Sequence, residues 1–579
     1  MEIKTGPWNL NDIIKKEDIP ECLKKVEQIV KQIEKFKPKF KTNISLEDFN
    51  KIIELLEKQY FLMSKAGQYS SLWVKENTKN SEALALQNKI SKINTEQSNR
   101  LLWLSLELVK FKEKDLKRLI DHNKKINYSF RQLVKLKPFF LSEKEEKIIN
   151  YKDYNGINTV IHLYNLITSD FTFKFKGREI TQNEVIKEVR SPDKKTRKLA
   201  CETLLKKYKE NEIVLNEIYT AIAGDWEKEY IVTRKYKSPI SVRNRANDIP
   251  DKAIEVLLKT TEKNQKVFHR YFKLKARLLK TKKLSRFDLY APIKFKEQKI
   301  TYKDAVSLIV DTFNEFSPIF SKLAKRMVAT KHIHSSIQRG KTQGAFCSSA
   351  IPSVDPFILL NYVNNEDSME TLAHELGHAI HFMLAAKKQS IFHTDAALPV
   401  AETASTLCEL IVLDKMKRKY PKLALKLLLK QLDRSYGTIA RQAEITSFEI
   451  KAHELVKHGT SLNELKKVRI DSLRKHFGPN VEVPELYASE LHYIPHIYNS
   501  PFYCYAYSFG DLLSLAVYKK YRENSKTYIK KIIKMLSDGG SKSPADLVKE
   551  LGFDIGSEKF WQSGFDYINS LIDQAEKLT

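Results

Sequence analysis

The stretch TLAHELGHAIHF, residues 371–382, puts two histidines one helical turn apart, with a glutamate beside the first. On a helix, His374 and His378 share a face. Glu375 lies about 100° round from His374, near enough to act on a water at that face. This HExxH spacing suits zinc: two imidazoles bind the metal and the glutamate serves as general base toward the attacking water. A catalytic zinc takes three protein ligands and keeps one position open, so a third donor is required. A second helical stretch, LPVAETASTLCELIVLDKMK, opens after Pro399 and carries Glu402 near its start and Glu409 two turns on. Glu402 is the expected third ligand, and Glu409 the expected acceptor behind a ligand histidine. The longer pattern HExxHxxGxxH fails, because position 381 is histidine and position 384 leucine. Asp395 offers an alternative oxygen donor, but FHTDAALP carries no glycine-turn signature. His381 lies about 10 Å along the axis from His374, too far to share its coordination sphere, and reads as packing or support. Gly377 costs the helix about 1 kcal/mol against alanine. That cost implies a close neighbour there, either another backbone or a channel wall.

Those side chains need helices to hold them, and most of the chain reads as helix. LEDFNKIIELLEKQYFLMSKAGQYSSLW, SEALALQNKISKINTEQSNRLLWLSLELVKF and NEVIKEVRSPDKKTRKLACETLLKKY all space apolar residues three and four apart. Asp367 and Glu370 form a box-like start for the histidine helix. Strand-like pieces are few: DFTFKFKGREI near 170, RFDLYAPIKF near 290, and GAFCSSAIPSVDPFILLNY from 344 to 362. No period of 20 to 50 residues recurs, which excludes a solenoid. The weak break at SPDKK suggests an N-terminal helical region, 1–190, and a catalytic region, 191–579.

With 579 residues, 42% of them apolar, the chain is expected to bury more than one core. No apolar run approaches the 18 or so residues of a membrane span. The opening MEIKTGPWNL lacks the layout of a secretion signal, and five scattered cysteines form no CxxC pair. The expectation is a cytoplasmic monomer without membrane partners. The net charge of +29 raises the question of nucleic acid, yet only 20 of the 100 basic residues are arginine. Phosphate- and base-reading surfaces lean on arginine forks. The lysines read as a solvated surface, and no nucleic-acid partner is expected.

HELGHAIH followed by AETASTLCE resembles the oligoendopeptidase F branch of the thimet-oligopeptidase-like zinc metallopeptidases. That group pairs an HExGH helix with a glutamate some two dozen residues later, and Glu402 lies 24 after His378. RFDLYAPI, GDWEKEYIVTRKYKSPISVRNRANDIP, GKTQGAFCSSAIPSVDPFILLNY and LHYIPHIYNSPFYCYAYSFGD agree, so the likeness runs from about residue 110 onward. It implies a mainly α, two-lobed, zincin-type metallopeptidase with a deep substrate channel and a small β element beside the HExxH helix. It also implies one zinc per chain and hydrolysis of internal bonds in oligopeptide substrates.

Peptide hydrolysis passes through an oxyanion that needs donors besides the metal. The resemblance assigns that task to His496 and to tyrosines of the following loop. Tyr503, Tyr505 and Tyr507 all qualify by spacing. Tyr507 and Tyr503 share a face if a helix begins there, whereas in a strand all three would share one side. Gly344 and Ala345 are expected to let a peptide backbone approach an edge strand. Cys347, Cys408 and Cys504 fall within the motif segments, as small buried side chains or as thiols whose modification crowds the site.

Overall fold

The computed structural model describes residues 5–123, 126–295 and 298–579. Helices dominate, and the strands among the described residues are short. The backbone divides into two compact units that interleave along the chain. Unit 1 comprises Met1–Lys137, Glu297–Lys419 and Lys520–Phe553; unit 2 comprises Pro138–Lys296, Tyr420–Lys519 and Asp554–Thr579. Residues 1–190 are thus shared between both.

Unit 1 opens with three helices, Ile19–Glu34, Leu46–Glu76 and Ser81–Leu108. Ser45 and Asn80 cap the second and third by accepting backbone N–H groups of their first turns. Trp8, Val26, Met63 and Leu72 of this N-terminal part share a core with Ile351, Phe357 and Leu359. The last two belong to a three-stranded sheet in which Phe357–Leu359 is central. It pairs parallel with Ile333–His334 and antiparallel with Phe346–Ser348, so Phe346–Ser348 is an edge strand.

At the centre of unit 1 runs the histidine helix, Glu366–Ala386. Met369, Leu372, Ala373, Leu376, Ala379 and Ile380 are wholly buried, which makes it apolar nearly all round, as an interior helix must be. Each such leucine or isoleucine contributes about 1.5–3 kcal/mol by leaving water. It packs against the glutamate helix, Thr403–Lys419, against Ser525–Asp538, and against the edge strand. Its cap is Asn365, whose Oδ1 accepts the Ser368 N–H at 3.0 Å, two residues ahead of the expected Asp367. Asn364 takes a left-handed φ of 53° and turns the chain earlier than the carboxylate pattern suggests.

Unit 2 is built around Tyr164, Tyr208, Tyr219, Phe448 and Tyr498, with Tyr164 and Tyr498 stacked at 3.8 Å. DFTFKFKGREI forms the expected hairpin, Thr172–Phe175 with Arg178–Thr181. RFDLYAPIKF does not form a strand. Ser285 and Asp288 close a capping box there, and Arg286–Asp288 becomes a 3-10 turn. SPDKK separates two packed helices, Gln182–Val189 and Lys194–Glu210, with Asp193 capping the second.

Candidate active site

His374 and His378 point inward because their helix presents that face to the glutamate helix. His374 Nε2 and His378 Nε2 stand 3.2 Å apart. Glu402 Oε2 lies 3.4 Å from the first and 3.3 Å from the second. Ligand bonds of about 2.05 Å at tetrahedral angles separate donor atoms by about 3.35 Å, so the three atoms match three corners of a zinc tetrahedron. The donor set, two imidazoles and a carboxylate, also suits that metal.

His374 and Glu402 are each held from behind. His374 Nδ1–H donates to Glu409 Oε1, which fixes the proton on Nδ1 and leaves the Nε2 lone pair facing Glu402. Ser405 Oγ donates to Glu402 Oε2 at 2.8 Å and to the Glu402 carbonyl at 2.9 Å. Burial alone would raise the Glu402 carboxyl, but the His378 hydrogen bond and both imidazoles hold it down to about 2. Burial opposes charge on His378 as well, and Glu402 outweighs it, so this imidazole is raised. His381 is buried on the same helix; burial pulls it down to about 4 and it hydrogen-bonds the backbone of Ala401, next to the ligand.

Glu375 is buried beside the triad. Desolvation pushes its carboxyl up to about 7, with Glu402 adding to the rise and His378 opposing it. Such a group can both take and return a proton near neutrality. A cavity of about 400 Å³ opens on Glu375 and the three donors, walled by Ala345, Phe346 and Cys347 of the edge-strand segment. Gly344 precedes it at a φ of +81°, its carbonyl accepting from Asn361 Nδ2 at 3.0 Å. Asp395 also lines the cavity but does not join the donor cluster.

Gly377 explains how the helices come so close. A Cβ there would stand 2.6 Å from Ser405 Cα, 2.8 Å from the Ala404 carbonyl oxygen and 2.9 Å from Ser405 N. The neighbour is therefore the backbone of the glutamate helix. The loop between the two helices is seated similarly: Gly540 N–H donates to the His393 carbonyl at 2.8 Å, and a Cβ on Gly540 would lie 2.1 Å from the Asp395 carbonyl oxygen.

Unit 2 carries a separate aromatic cluster. His496 stacks on Tyr503 with centroids 5.8 Å apart, and Tyr507 Oη lies 3.5 Å from His496 Nε2. All three are half-buried. Burial and then the charge of Arg441 keep the His496 imidazole below its ordinary value. Tyr505 points elsewhere: it is buried, and its Oη accepts from Asn247 Nδ2 at 2.8 Å. The helix begins at Tyr505, so Tyr503 reaches the cluster from the preceding loop rather than from a helical face.

The profile of peptidase family M3 matches residues 187–567. The chain belongs to peptidase family M3. This M3 peptidase is a metalloendopeptidase, a hydrolase of peptide bonds, of the oligoendopeptidase F type. It is 27% identical to an oligoendopeptidase F homolog of Borreliella burgdorferi, over 99% of this chain and 98% of the relative. It is 26% identical to the oligopeptidase PepF of Bacillus subtilis, over 99% and 87%. The crystal structure of oligoendopeptidase-F from Enterococcus faecium superposes with a TM-score of 0.73 at 19% identity, covering 97% of this chain and 99% of that one. That likeness shows the mainly helical fold.

In the M3 peptidase, His374, His378, Glu402, Glu375 and Glu409 lie together, and His496, Tyr503 and Tyr507 form their own cluster, a choice among the tyrosines that spacing left open. Three supporting groups escape a sequence reading. Ser405 steadies Glu402. Glu449 Oε1 accepts the Phe502 N–H at 2.9 Å, and Arg243 donates to the Pro501 carbonyl at 3.1 Å. These two clamp the loop before Tyr503, where Phe502 takes a φ of 57°, a strained value for a non-glycine residue. Only the hydroxyl of Ser405 beside a ligand glutamate gave a local hint; the other partners lie far off in sequence.

Proposed function

We propose that the protein is a zinc-dependent endopeptidase that cleaves internal bonds of short oligopeptides. The observation that carries this reading is the near-equilateral set of His374 Nε2, His378 Nε2 and Glu402 Oε2 with buried Glu375 beside it. One zinc per chain, held by those three residues, would supply Lewis-acid polarisation of the water and the scissile carbonyl. Glu375 accepts the proton from the attacking water as the new C–O bond forms. It then passes that proton to the amine as the C–N bond breaks. Glu409 keeps His374 in the required tautomer and orientation.

Gly344 and Ala345 lead into the edge strand and are assigned to the peptide's main chain, which an edge recognises by backbone hydrogen bonds rather than by side chains. His496, Tyr507 and Tyr503 are assigned as donors to the developing oxyanion. The division into an N-terminal helical region, 1–190, and a catalytic region, 191–579, is supported by a family match that starts at residue 187. A cytoplasmic monomer is the accompanying reading. Five free cysteines support a reducing compartment, and no helix among the described residues is long and apolar enough to cross a membrane. An arginine-poor surface supports peptides rather than nucleic acid as partners.

The test is cleavage of an internally quenched nonapeptide before and after chelation, with zinc added back and products mapped by mass. Activity should vanish with the chelator, return with zinc, and yield internal cuts. Glu375→Gln should retain zinc yet lose about 10²–10⁴-fold or more in turnover; wild-type rates in that variant would refute the mechanism. Intact casein cut as fast as a decapeptide would refute the size limit.

A further inference from the structure

Unit 2 contains a cavity of about 570 Å³ for which the proposed hydrolysis has no use. One wall is apolar, formed by Ile186, Val189, Leu204 and Leu205. The lining is also cationic, with Arg190, Arg286, Lys430, Arg434 and Arg441. Behind it lies a buried ion network. Arg286 Nη2 donates to Glu490 Oε1 at 2.8 Å, and Arg469 Nη2 donates to Glu490 Oε2 at 2.9 Å. Arg441 Nη2 reaches the same carboxylate only at 3.5 Å. Arg469 also holds Glu444 through Nη1 at 2.7 and 2.9 Å.

Three guanidinium groups therefore share two carboxylates, and one positive charge is left over. Glu490 and Arg286 are each only 4% exposed and Arg441, the least closely paired, is 22% exposed, so water screens the surplus only in part. Three donors are unused as well: the Nε groups of Arg286, Arg441 and Arg469 are buried and make no hydrogen bond. Native interiors rarely leave such groups unpaired. The other acid of the cavity, Asp433, is already engaged, accepting from Lys275 Nζ at 2.7 and 2.9 Å.

We propose that this cavity binds the free carboxylate end of a peptide whose last side chain is apolar. A carboxylate brings the single negative charge that the buried network lacks and matches the planar fork of a guanidinium. The apolar residues suit a side chain, and a single surplus charge matches one carboxylate better than a doubly charged phosphate. The volume lies within the range of small-ligand sites. The inference rests on the oligopeptide reading, since every short substrate or product carries such an end.

The experiment titrates N-acetyl-Gly-Gly-Leu, as free acid and as C-terminal amide, into zinc-loaded full-length Glu375→Gln by calorimetry. The acid should bind at least tenfold more tightly than the amide. Adding Arg441→Gln should abolish that preference with the thermal midpoint unchanged, because Glu490 keeps Arg286 and Arg469. Arg190→Ala, an exposed change, should weaken the acid several-fold and serves if Arg441→Gln fails to fold. With active enzyme, purely competitive inhibition by the acid identifies the occupant as the substrate's own end, and a changed kcat identifies a separate effector peptide. Equal binding of acid and amide overturns the proposal, as does a preference that survives in a folded Arg441→Gln protein. Inorganic phosphate binding as tightly as the acid overturns the choice of carboxylate. Failure to cleave any peptide, with the acid preference intact, sinks the hydrolytic reading and leaves this site standing.

Discussion

Replacing Gly377 by alanine adds one methyl group where the histidine and glutamate helices touch. The added Cβ would meet Ser405 Cα at 2.6 Å, whereas ordinary contact begins at 3.4 Å. The obstacle is backbone, so no side chain can swing aside, and the helices must part by about 0.8 Å. Glu402 sits three residues before Ser405, tied to it by the 2.8 Å hydrogen bond. A carboxylate oxygen that must lie about 2.0–2.2 Å from zinc leaves bonding range under a shift of that size. Overpacking costs about 1–3 kcal/mol, and the better helix propensity of alanine returns about 1 kcal/mol. Stability should therefore fall only slightly, while zinc affinity drops by at least about 10–100-fold, the range seen when support behind a ligand is lost. At saturating zinc, kcat/KM should fall about 100-fold, as a misplacement near 1 Å entails. A chromogenic chelator competition, a quenched-peptide assay and thermal unfolding read the three quantities. Gly67→Ala is the control: that glycine lies in the helix Leu46–Glu76 with nothing within 4 Å of a new Cβ, so alanine should stabilise by up to about 1 kcal/mol. Wild-type zinc affinity and kcat/KM in Gly377→Ala would refute the claim that helix contact sets the ligand geometry.

Other perturbations separate the remaining roles. Glu409→Gln removes the charge behind His374 and should weaken zinc binding about 10–100-fold; an unchanged affinity in the same competition assay counts against the tautomer argument. Tyr507→Phe should lower kcat with unfolding unaltered, whereas Tyr505→Phe should leave kcat alone and cost about 1–3 kcal/mol by stranding Asn247; the reverse pattern would reassign the two phenols. Burial pushes the Glu449 carboxyl up to about 8 from its ordinary value near 4.5, so between those pH values the unfolded chain releases a proton the folded chain keeps. Stability contributed there is complete below pH 4.5 and is lost as pH rises toward 8, by up to about 1.4 kcal/mol per unit. Denaturant titrations should therefore show Glu449→Gln gaining on the wild type between pH 5 and pH 8; a constant difference would refute the assignment. Alkylation should act through Cys347, which borders the cavity, because Cys408 and Cys504 are wholly buried; a Cys347→Ser protein inactivated as fast as the wild type would contradict this.

The histidine pair and the two glutamates were each legible because their spacing is local, whereas the meeting of Glu402 with the histidines depends on helix packing. Four residues put His374 and His378 on one face, and seven put Glu409 on the face of Glu402, whatever the rest of the chain does. Gly377 was legible as a close approach, but not its partner, since the Ser405 backbone arrives through tertiary packing. The tyrosines were ambiguous for a similar reason. Choosing Tyr503 and Tyr507 over Tyr505 depends on where the helix starts and on a left-handed Phe502 held by Glu449 and Arg243, contacts that span from 53 to 258 residues. The interleaving of the units left no mark in composition, because both are helical and lysine-rich.

That interleaving also sets an order in time. The first segment of unit 1 has left the ribosome by Lys137, yet its last segment is complete only at Phe553. At about 5–20 residues per second, the N-terminal helices wait about 10–45 s for Ile351, Phe357 and Leu359, which complete their core. His374, His378 and Glu402 are all synthesised before Gly539 and Gly540, which seat the loop between their helices. A nascent chain stalled before residue 539 thus holds all three donor side chains without the seat of the loop between their helices, and the donor cluster is steadied among the last features of translation.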